Sequence, residues 1–588
     1  MVLTAKYPLL LFDFYEEGNR PRRLCFTDPE QIFVADSISQ VRSVLIAAEC
    51  AAREGFYVAG FVSYEAAPAF DPALVVRDRS RLPLAWFAVF GPTSISSVEA
   101  SLETKSEHQL STFEWQSSIS HAAYCKNVAA IFEAIARGDT YQVNYSMRLR
   151  AKFEGGSVAY YERLRSAQRA RYCAYLDIGK HQILSASPEL FFRTSGNRIV
   201  TRPMKGTARR GRYTAEDDLL QAHLRASAKE QAENVMIVDL IRNDLGRIAE
   251  TGTVKVTRLF EIEKYPTVLQ MTSTVEADLK RGTTLEEILS ALFPCGSVTG
   301  APKVSTMKLI AQLEDSAREI YCGAIGLLKP GGDCEFNVAI RTLVIDSITG
   351  AAVYGVGSGI TWGSTPQSEY EEALAKAKVL TEQRPAFKLL ETMKLESGRY
   401  TLLGRHLQRL TDSARYFDIP LSLTAVQDAL KEYATNYSTE PRRVRLLVSQ
   451  EGEVEIECQR LEDLPCGSLP VRLADKPICS SNIMLYHKTT HLEIYEAHRG
   501  GGFDTFDTLL WNEQGKVTEF TRGNFVVELD GRLWTPPVNC GLLAGTLRAE
   551  LLASGQITER VVRLDEISNS LAIWFINSVR GWQQVHLV

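Results

Sequence analysis

The sequence predicts an α+β protein of two successive domains, and three observations carry that expectation. At 588 residues the chain exceeds what one ordinary core organises, so it divides. Short β-rich segments with alternating character are interspersed with stretches whose apolar positions recur at helical spacing. A polar junction, Thr381-Glu382-Gln383-Arg384-Pro385, then interrupts the chain, and Pro385 stops any helix arriving from Ala373. The expected boundaries are 1–382 for a large domain and 387–588 for a smaller one.

In chain order, Ser37 to Gly55 reads as a helix and Tyr57 to Tyr64 as a buried strand. Residues 93–118 are polar and read as a connecting loop. A helix is expected from His121 to Arg137, closed by Gly138-Asp139. The strand Thr140 to Ser146 follows, with Gln142 and Asn144 on one face. Ala215 to Ile248 reads as one long helix or two. Gly323 to Leu328 and Phe336 to Ile345 read as a hairpin. In the second part, Phe387 to Met393 is an expected strand, Leu403 to Leu410 opens a helix, and Ser481 to Tyr486 is strand-like.

Composition narrows the function. Hydrophobic residues make up 45% and charged residues 23%, and the net charge of −5 is spread without long single-sign runs. Nucleic-acid and membrane-surface roles are therefore disfavoured, leaving small molecules or proteins as partners. Eleven cysteines without a C-x-x-C pair indicate neither a disulfide framework nor a thiolate metal site. The apolar run Leu9 to Phe12 is broken at Asp13, and no segment approaches the ~18 apolar residues of a membrane span. The expectation is a cytoplasmic protein.

Chemistry concentrates around Arg202-Pro203-Met204-Lys205-Gly206-Thr207, with Ser187-Pro188-Glu189-Leu190-Phe191 one hairpin upstream. A lysine on a tight turn reaches a ligand as nucleophile or cation, and Glu189 can deliver a proton to a leaving group; alternatively this is a surface hairpin with a solvated lysine. Glu230 and Glu233, three apart, share a helical face, and Glu369 and Glu372 repeat the spacing on the helix carrying Lys376. Each pair is either a solvated face or half of a seat for a hard divalent cation. The loop Phe293 to Lys303 suits an anion held by backbone N–H groups. Tyr321 and Arg341, with Gly355, Gly357 and Gly359 after them, outline a carboxylate grip.

These residues resemble the chorismate-utilising enzymes over 1–382, more closely the component I subunits of aminodeoxychorismate synthases. The matching motifs are Ser187 to Phe191, Pro203 to Thr207, Val238 to Asp244, Gly296 to Lys303 and Phe336 to Thr342. The resemblance implies two β-sheets packed face to face with helices outside. It implies Glu233 and Glu372 as direct Mg2+ ligands, with Glu230 and Glu369 acting through water. It places Tyr321, Arg341, Gly355 and Gly357 on the enolpyruvyl carboxylate of chorismate, Lys376 and Thr207 by the ring, and Glu189 as general acid for the 4-hydroxyl. Lys205 stands where anthranilate synthases carry alanine, which favours amination at C4. Gln142 stands where isochorismate and salicylate synthases carry a water-activating lysine. Many relatives have histidine in place of Gln270. No glutaminase segment is recognised, so ammonia is expected from a glutamine amidotransferase partner or from solution.

Residues 387–588 resemble the fold-type IV pyridoxal-phosphate enzymes. That likeness implies Lys488 as Schiff-base lysine, Glu519 on the pyridine nitrogen, and Arg409 with the amides near Thr521 and Thr546 on the phosphate. Together the halves imply a fused synthase and lyase making 4-aminobenzoate for folate synthesis. The alternatives are an anthranilate-type synthase joined to an aminotransferase, or a synthase with an inert second module.

Overall fold

The computed structural model describes residues 8–14, 22–78, 81–99, 113–381, 387–436, 440–465, 467–499 and 505–588. By its contacts the chain forms two compact units. One comprises Met1–Arg209 and Gln221–Arg384, the other Arg210–Leu220 and Pro385–Val588.

The first unit contains two ten-stranded sheets. In one, the strands Gln142–Lys152, Ala351–Thr361, Thr342–Asp346, His181–Ser187, Tyr172–Asp177 and Leu9–Phe14 lie side by side; in the other, Met204–Arg209, Val268–Asp278, Arg198–Arg202, Leu190–Ser195, Cys334–Val338 and Ala324–Leu328 do so. Because side chains alternate along a strand, each sheet has two faces to cover. Leu10, Phe12, Leu176 and Ile183 of the first interlock with Phe61, Trp86, Phe90 and Ile325 of the second in a shared core. The outer faces are covered by helices: Ile38–Arg53, Ala228–Gly246 and Leu285–Leu292 on one side, His121–Ala136 and Ser157–Gln168 on the other. This is the expected face-to-face α+β arrangement.

Several sequence expectations shift. The expected strand Phe336 to Ile345 is two strands, Cys334–Val338 and Thr342–Asp346, belonging to different sheets. The break falls at Arg341, whose φ is 51°, a left-handed conformation costly for a residue bearing Cβ. Ala215 to Ile248 resolves into two helices, Thr214–Ala226 and Ala228–Gly246, the second capped by the Ser227 side chain. Within the polar stretch 93–118, Ile95–Glu99 is a strand paired with Arg22–Phe26; residues 100–112 lie outside the described residues.

In the second unit, a four-stranded sheet including Leu389–Glu396, Arg442–Val448 and Val454–Arg460 packs on the helices Leu403–Phe417 and Leu423–Asn436. An eight-stranded sheet follows. Its strand Val517–Phe520 pairs with both Asp507–Trp511 and Asn524–Leu529, so part of the sheet closes on itself at the Glu519–Asn524 pair. Ser481 to Tyr486 is not a strand; it contains the 3-10 turn Ile483–Leu485, with Asn482 accepting from Met484 N–H. The segment Arg210–Leu220 is built into this unit. The Arg212 guanidinium donates to Tyr486 Oη at 2.8 Å, and its carbonyl lies 3.2 Å from His487 Nε2.

Candidate functional site

The first unit's cavity opens where the chain passes between the two sheets. Pro188-Glu189 links strand His181–Ser187 of one sheet to Leu190–Ser195 of the other, and Ala339 to Arg341 makes the return crossing. A space of about 150 Å³ there is lined by Glu189, Lys205, Thr207, Tyr321, Arg341, Gly355, Gly357, Lys376 and the four glutamates Glu230, Glu233, Glu369 and Glu372. Residues spread over nearly two hundred positions thus face one volume.

Burial lowers the Lys205 amine below its ordinary range against the pull of Glu233, Glu372 and Glu189. Among the described residues its Nζ has no hydrogen-bond or salt-bridge partner. Glu189 is 2% exposed, and burial raises its carboxyl to about 7 although Ser297, Lys205 and the Met204 N–H lower it. Its Oε1 is buried without a partner. The pair is therefore a depressed amine beside an acid that still holds its proton near neutrality. Burial also lowers Arg341, and no carboxylate pairs with it among the described residues. Glu230 is raised by burial first and then by Glu233, whereas Lys376, 2.7 Å away, lowers Glu372.

Glycines make the approach possible. A Cβ on Gly355 would meet the Tyr321 ring at 2.2 Å, and one on Gly359 would lie 2.4 Å from Lys205 Nζ and 2.5 Å from Gln142 Nε2. Gly206 has a φ of +94° and backs directly onto Glu230. Gln270 fills the turn: its Nε2 donates to Gly206 O at 2.8 Å, and its Oε1 accepts from Thr207 Oγ1 at 3.0 Å. The loop Phe293 to Lys303 does not serve as an amide cradle. The N–H groups of Val298 and Thr299 bond back to Cys295 and Gly296, and Lys303 pairs with Asp244 at 3.0 Å. Only Ser297 and Val298 of that loop face the cavity.

The second unit has its own cavity, about 470 Å³, lined by Arg409, Lys488, Glu519, Thr521, Gly545 and Thr546 among others. Burial lowers Lys488 to about 8, helped by Arg409. Burial raises Glu519 to about 8, even though it accepts from Tyr495 Oη at 2.9 Å and Leu543 N–H at 3.1 Å. Arg409 is gripped by Glu391 through Nε at 2.9 Å and Nη2 at 2.6 Å. Burial alone would raise Glu391; Arg409 and His406 instead hold it well below the usual carboxylate range. Thr546 begins the helix Thr546–Ala553, and its hydroxyl lies 3.2 Å from His406 Nε2. Thr521 lines the cavity with its N–H and hydroxyl both donating to Asp507 Oδ1, at 3.0 and 2.6 Å.

Residues 14–382 match the family model described as chorismate binding enzyme. The chain belongs to that family. Residues 388–588 of this chorismate binding enzyme match the model described as amino-transferase class IV. Over 272 residues it is 39% identical to "Aminodeoxychorismate synthase component 1" of Escherichia coli (strain K12), covering 46% of this chain and 60% of that protein. Over 266 residues it is also 39% identical to "Anthranilate synthase component 1" of Aquifex aeolicus (strain VF5), covering 45% and 53%. The chain thus spans only 53 to 60% of these relatives' length. Among solved structures, anthranilate synthase component I from Streptococcus pneumoniae TIGR4 matches with a TM-score of 0.54 at 27% identity, over 63% of this chain and 94% of that one.

The donor sets suit the groups that this family and the class IV fold imply. Four carboxylates line the cavity with Lys205 and Lys376, and Glu230, raised by burial and then by Glu233, shows a charge that a hard divalent cation would offset. As they stand they are not drawn into a closed shell: among the described residues no three or more His, Cys, Asp or Glu side chains are gathered to hold a metal ion. In the second cavity, burial leaves the Glu519 charge uncompensated, a carboxylate that a protonated ring nitrogen would balance, and a lysine amine with no partner among the described residues suits an aldehyde.

The sequence gives Glu391 no role, and it places Ser297 and Gly359 only within a wider loop and a glycine run. Nothing in the strand Leu389–Glu396, which also carries Thr392, Lys394 and Glu396, singles Glu391 out. No helix among the described residues is long and apolar enough to cross a membrane.

Proposed function

We propose that the first unit aminates chorismate at C4 and that the second removes pyruvate from the product to give 4-aminobenzoate. The carrying observation is Lys205, an unpaired and depressed amine in the same cavity as the protonated Glu189. The Lys205 amine attacks the ring as the 4-hydroxyl leaves, and Glu189 supplies the proton that makes it water. Ammonia then adds at C4, the lysine departs as a free amine, and Glu189 recovers a proton from the new ammonium group. Arg341 and Tyr321 orient the enolpyruvyl carboxylate, while Gln270 holds Thr207 toward the ring.

Glu233 and Glu372 would hold Mg2+, with Glu230 and Glu369 around it, and the ion supplies charge neutralisation for the ring carboxylate. The ammonia source is a separate glutamine amidotransferase subunit, a reading that accords with relatives being a "component 1". Relatives bearing the two synthase names are equally similar, so the choice of C4 rests on Lys205.

In the second cavity Arg409, Thr546 and Glu519 would hold pyridoxal phosphate, which would supply an electron sink beside the substrate amine. Lys488 takes the C4 proton and returns it to the methylene carbon of the departing enolpyruvyl group. The ring becomes aromatic and pyruvate leaves. A reducing, cytoplasmic setting for folate synthesis accords with the ten free cysteines among the described residues.

The test is incubation with chorismate, Mg2+ and an ammonium salt, with and without pyridoxal phosphate. Formation of 4-aminobenzoate and pyruvate supports both steps. Accumulated aminodeoxychorismate sinks the lyase step, and 2-aminobenzoate overturns the choice of C4.

A further inference from the structure

The second unit's cavity carries more positive charge than a phosphate grip uses. Besides Arg409, its wall includes Arg443, Arg445, Arg522 and Arg580, together with Arg499, which is exposed to solvent. Two of these are neutralised: Arg445 pairs with Glu457 at 2.6 Å, and Arg522 with Asp507 at 3.1 Å. Arg443 and Arg580 have no carboxylate partner among the described residues. Arg443 donates through Nη2 to the neutral Gln459 amide at 2.6 Å, and its Nε is buried without any partner. Arg580 reaches only the backbone carbonyl of Glu462. Burial together with the nearby Arg443 and Arg522 charges lowers Arg580, despite Asp463 and Glu462.

Position separates these two from the cofactor end. Arg409 bonds Glu391 and the Ala544 carbonyl, whereas Arg443 bonds Gln459 on the strand Val454–Arg460 and Arg580 the Glu462 carbonyl just beyond that strand. Arg443 reaches the cavity because side chains alternate along Arg442–Val448: Val444 is buried, Leu446 and Val448 enter the core beneath, and Arg443 and Arg445 share the opposite face. Arg580 follows Asn577, Ser578 and Val579 around the turn after strand Ala572–Asn577, all four lining the same space. Two guanidinium groups lining one cavity with no ion-pair partner among the described residues, Asp463 and Glu462 acting on Arg580 only from beyond ion-pair distance, constitute a site that an incoming anion completes.

We infer that Arg443 and Arg580 form a carboxylate seat at the outer end of the second cavity, selecting amine substrates that carry an additional carboxylate. This rests on the reading of that cavity as the site of the pyruvate-releasing step, whose substrate bears a ring carboxylate and an enolpyruvyl carboxylate. The seat binds; it takes no part in proton transfer, which belongs to Lys488.

The test is calorimetric titration of the full holoenzyme, in an Arg341→Gln and Mg2+-free background that silences the first unit's own carboxylate grip, with 3-(1-carboxyvinyloxy)benzoate, a dicarboxylate lacking the amine, against benzoate as the monocarboxylate reference. Expected is binding of the dicarboxylate at least about tenfold tighter than benzoate. Arg443→Gln and Arg580→Gln should each erase most of that preference, and Arg580→Lys should restore part of it. The visible absorption of bound cofactor serves as the control for folding. Equal dicarboxylate affinity in wild type and both Gln variants overturns the seat. Arginine-dependent binding without any 4-aminobenzoate release upholds the seat and sinks the assigned reaction instead.

Discussion

Glu189 and Arg341 stand at the two crossings between the sheets, and the crossings are tied to each other. The Val338 N–H donates to the Glu189 carbonyl at 3.1 Å, and the Ala186 N–H donates to the Arg341 carbonyl at 3.1 Å. Ser187 Oγ adds a bond to the Val338 carbonyl at 2.6 Å. An acid and a carboxylate grip are thereby held by backbone rather than by flexible side-chain contacts, which is the rigidity a preorganised site requires.

Lys205→Ala should leave the fold intact and lower chorismate amination by about 10²-fold or more, the scale of losing a positioned reacting group. Mass spectrometry of the wild-type protein quenched with chorismate and no ammonia should show an adduct on the peptide containing Lys205. Amination at wild-type rate in the alanine variant would remove lysine from the reaction.

The Glu189 carboxyl, raised to about 7, sets a pH dependence. Its acid form fills the folded site below about 7 and is lost as pH rises through that value, so kcat/KM for amination should fall on the alkaline side with that midpoint. Glu189→Gln should remove this limb along with most of the rate. For stability the sign is that of a raised acid: the unfolded chain has released this proton by about pH 4.5 while the folded one retains it, so this group's contribution declines between about 4.5 and 7. Urea titrations across that range, wild type against Glu189→Gln, read it directly.

Gly359→Ala introduces a methyl group 2.4 Å from Lys205 Nζ and 2.5 Å from Gln142 Nε2. No left-handed backbone is involved, so thermal stability should change little while amination drops by about 10- to 100-fold through a displaced amine. A variant with full activity would show that Lys205 has more room than its neighbours suggest.

Chelation of divalent cations should stop amination, and Glu233→Gln with Glu372→Gln should each weaken Mg2+ binding by about 10-fold or more. Titration calorimetry with Mg2+ measures this without turnover. Release of Glu372 should also loosen Lys376, which it holds at 2.7 Å.

Lys488, lowered to about 8, should capture pyridoxal phosphate faster as pH rises through about 8, because only the free amine reacts. Stopped-flow absorbance on the cofactor-free protein follows this. Lys488→Ala should abolish the lysine-bound absorption while the aminodeoxychorismate-forming half continues.

The sequence alone determined the class of fold, and it pointed to a junction near Pro385 and to residues that line the two cavities, because helical and strand periodicities are local and the motifs are contiguous. Lys205 and Glu189 stood out as candidate reactive groups from residue type and turn, and Lys488 only through the resemblance of its half. Tertiary structure decided what their neighbours are. The expected strand Phe336 to Ile345 splits at Arg341, since only the two packed sheets require the chain to cross there. The loop Phe293 to Lys303 turns its Val298 and Thr299 amides back onto its own carbonyls, while Asp244 of a distant helix takes its lysine. Arg210–Leu220 joins the second unit, through bonds to residues some two hundred positions away. Arg443 and Arg580, unremarkable in sequence, become a paired charge only when a strand and a turn 137 residues apart line one cavity. Local patterns report how a segment covers its own faces; which groups lose their water and face each other is a property of long-range packing.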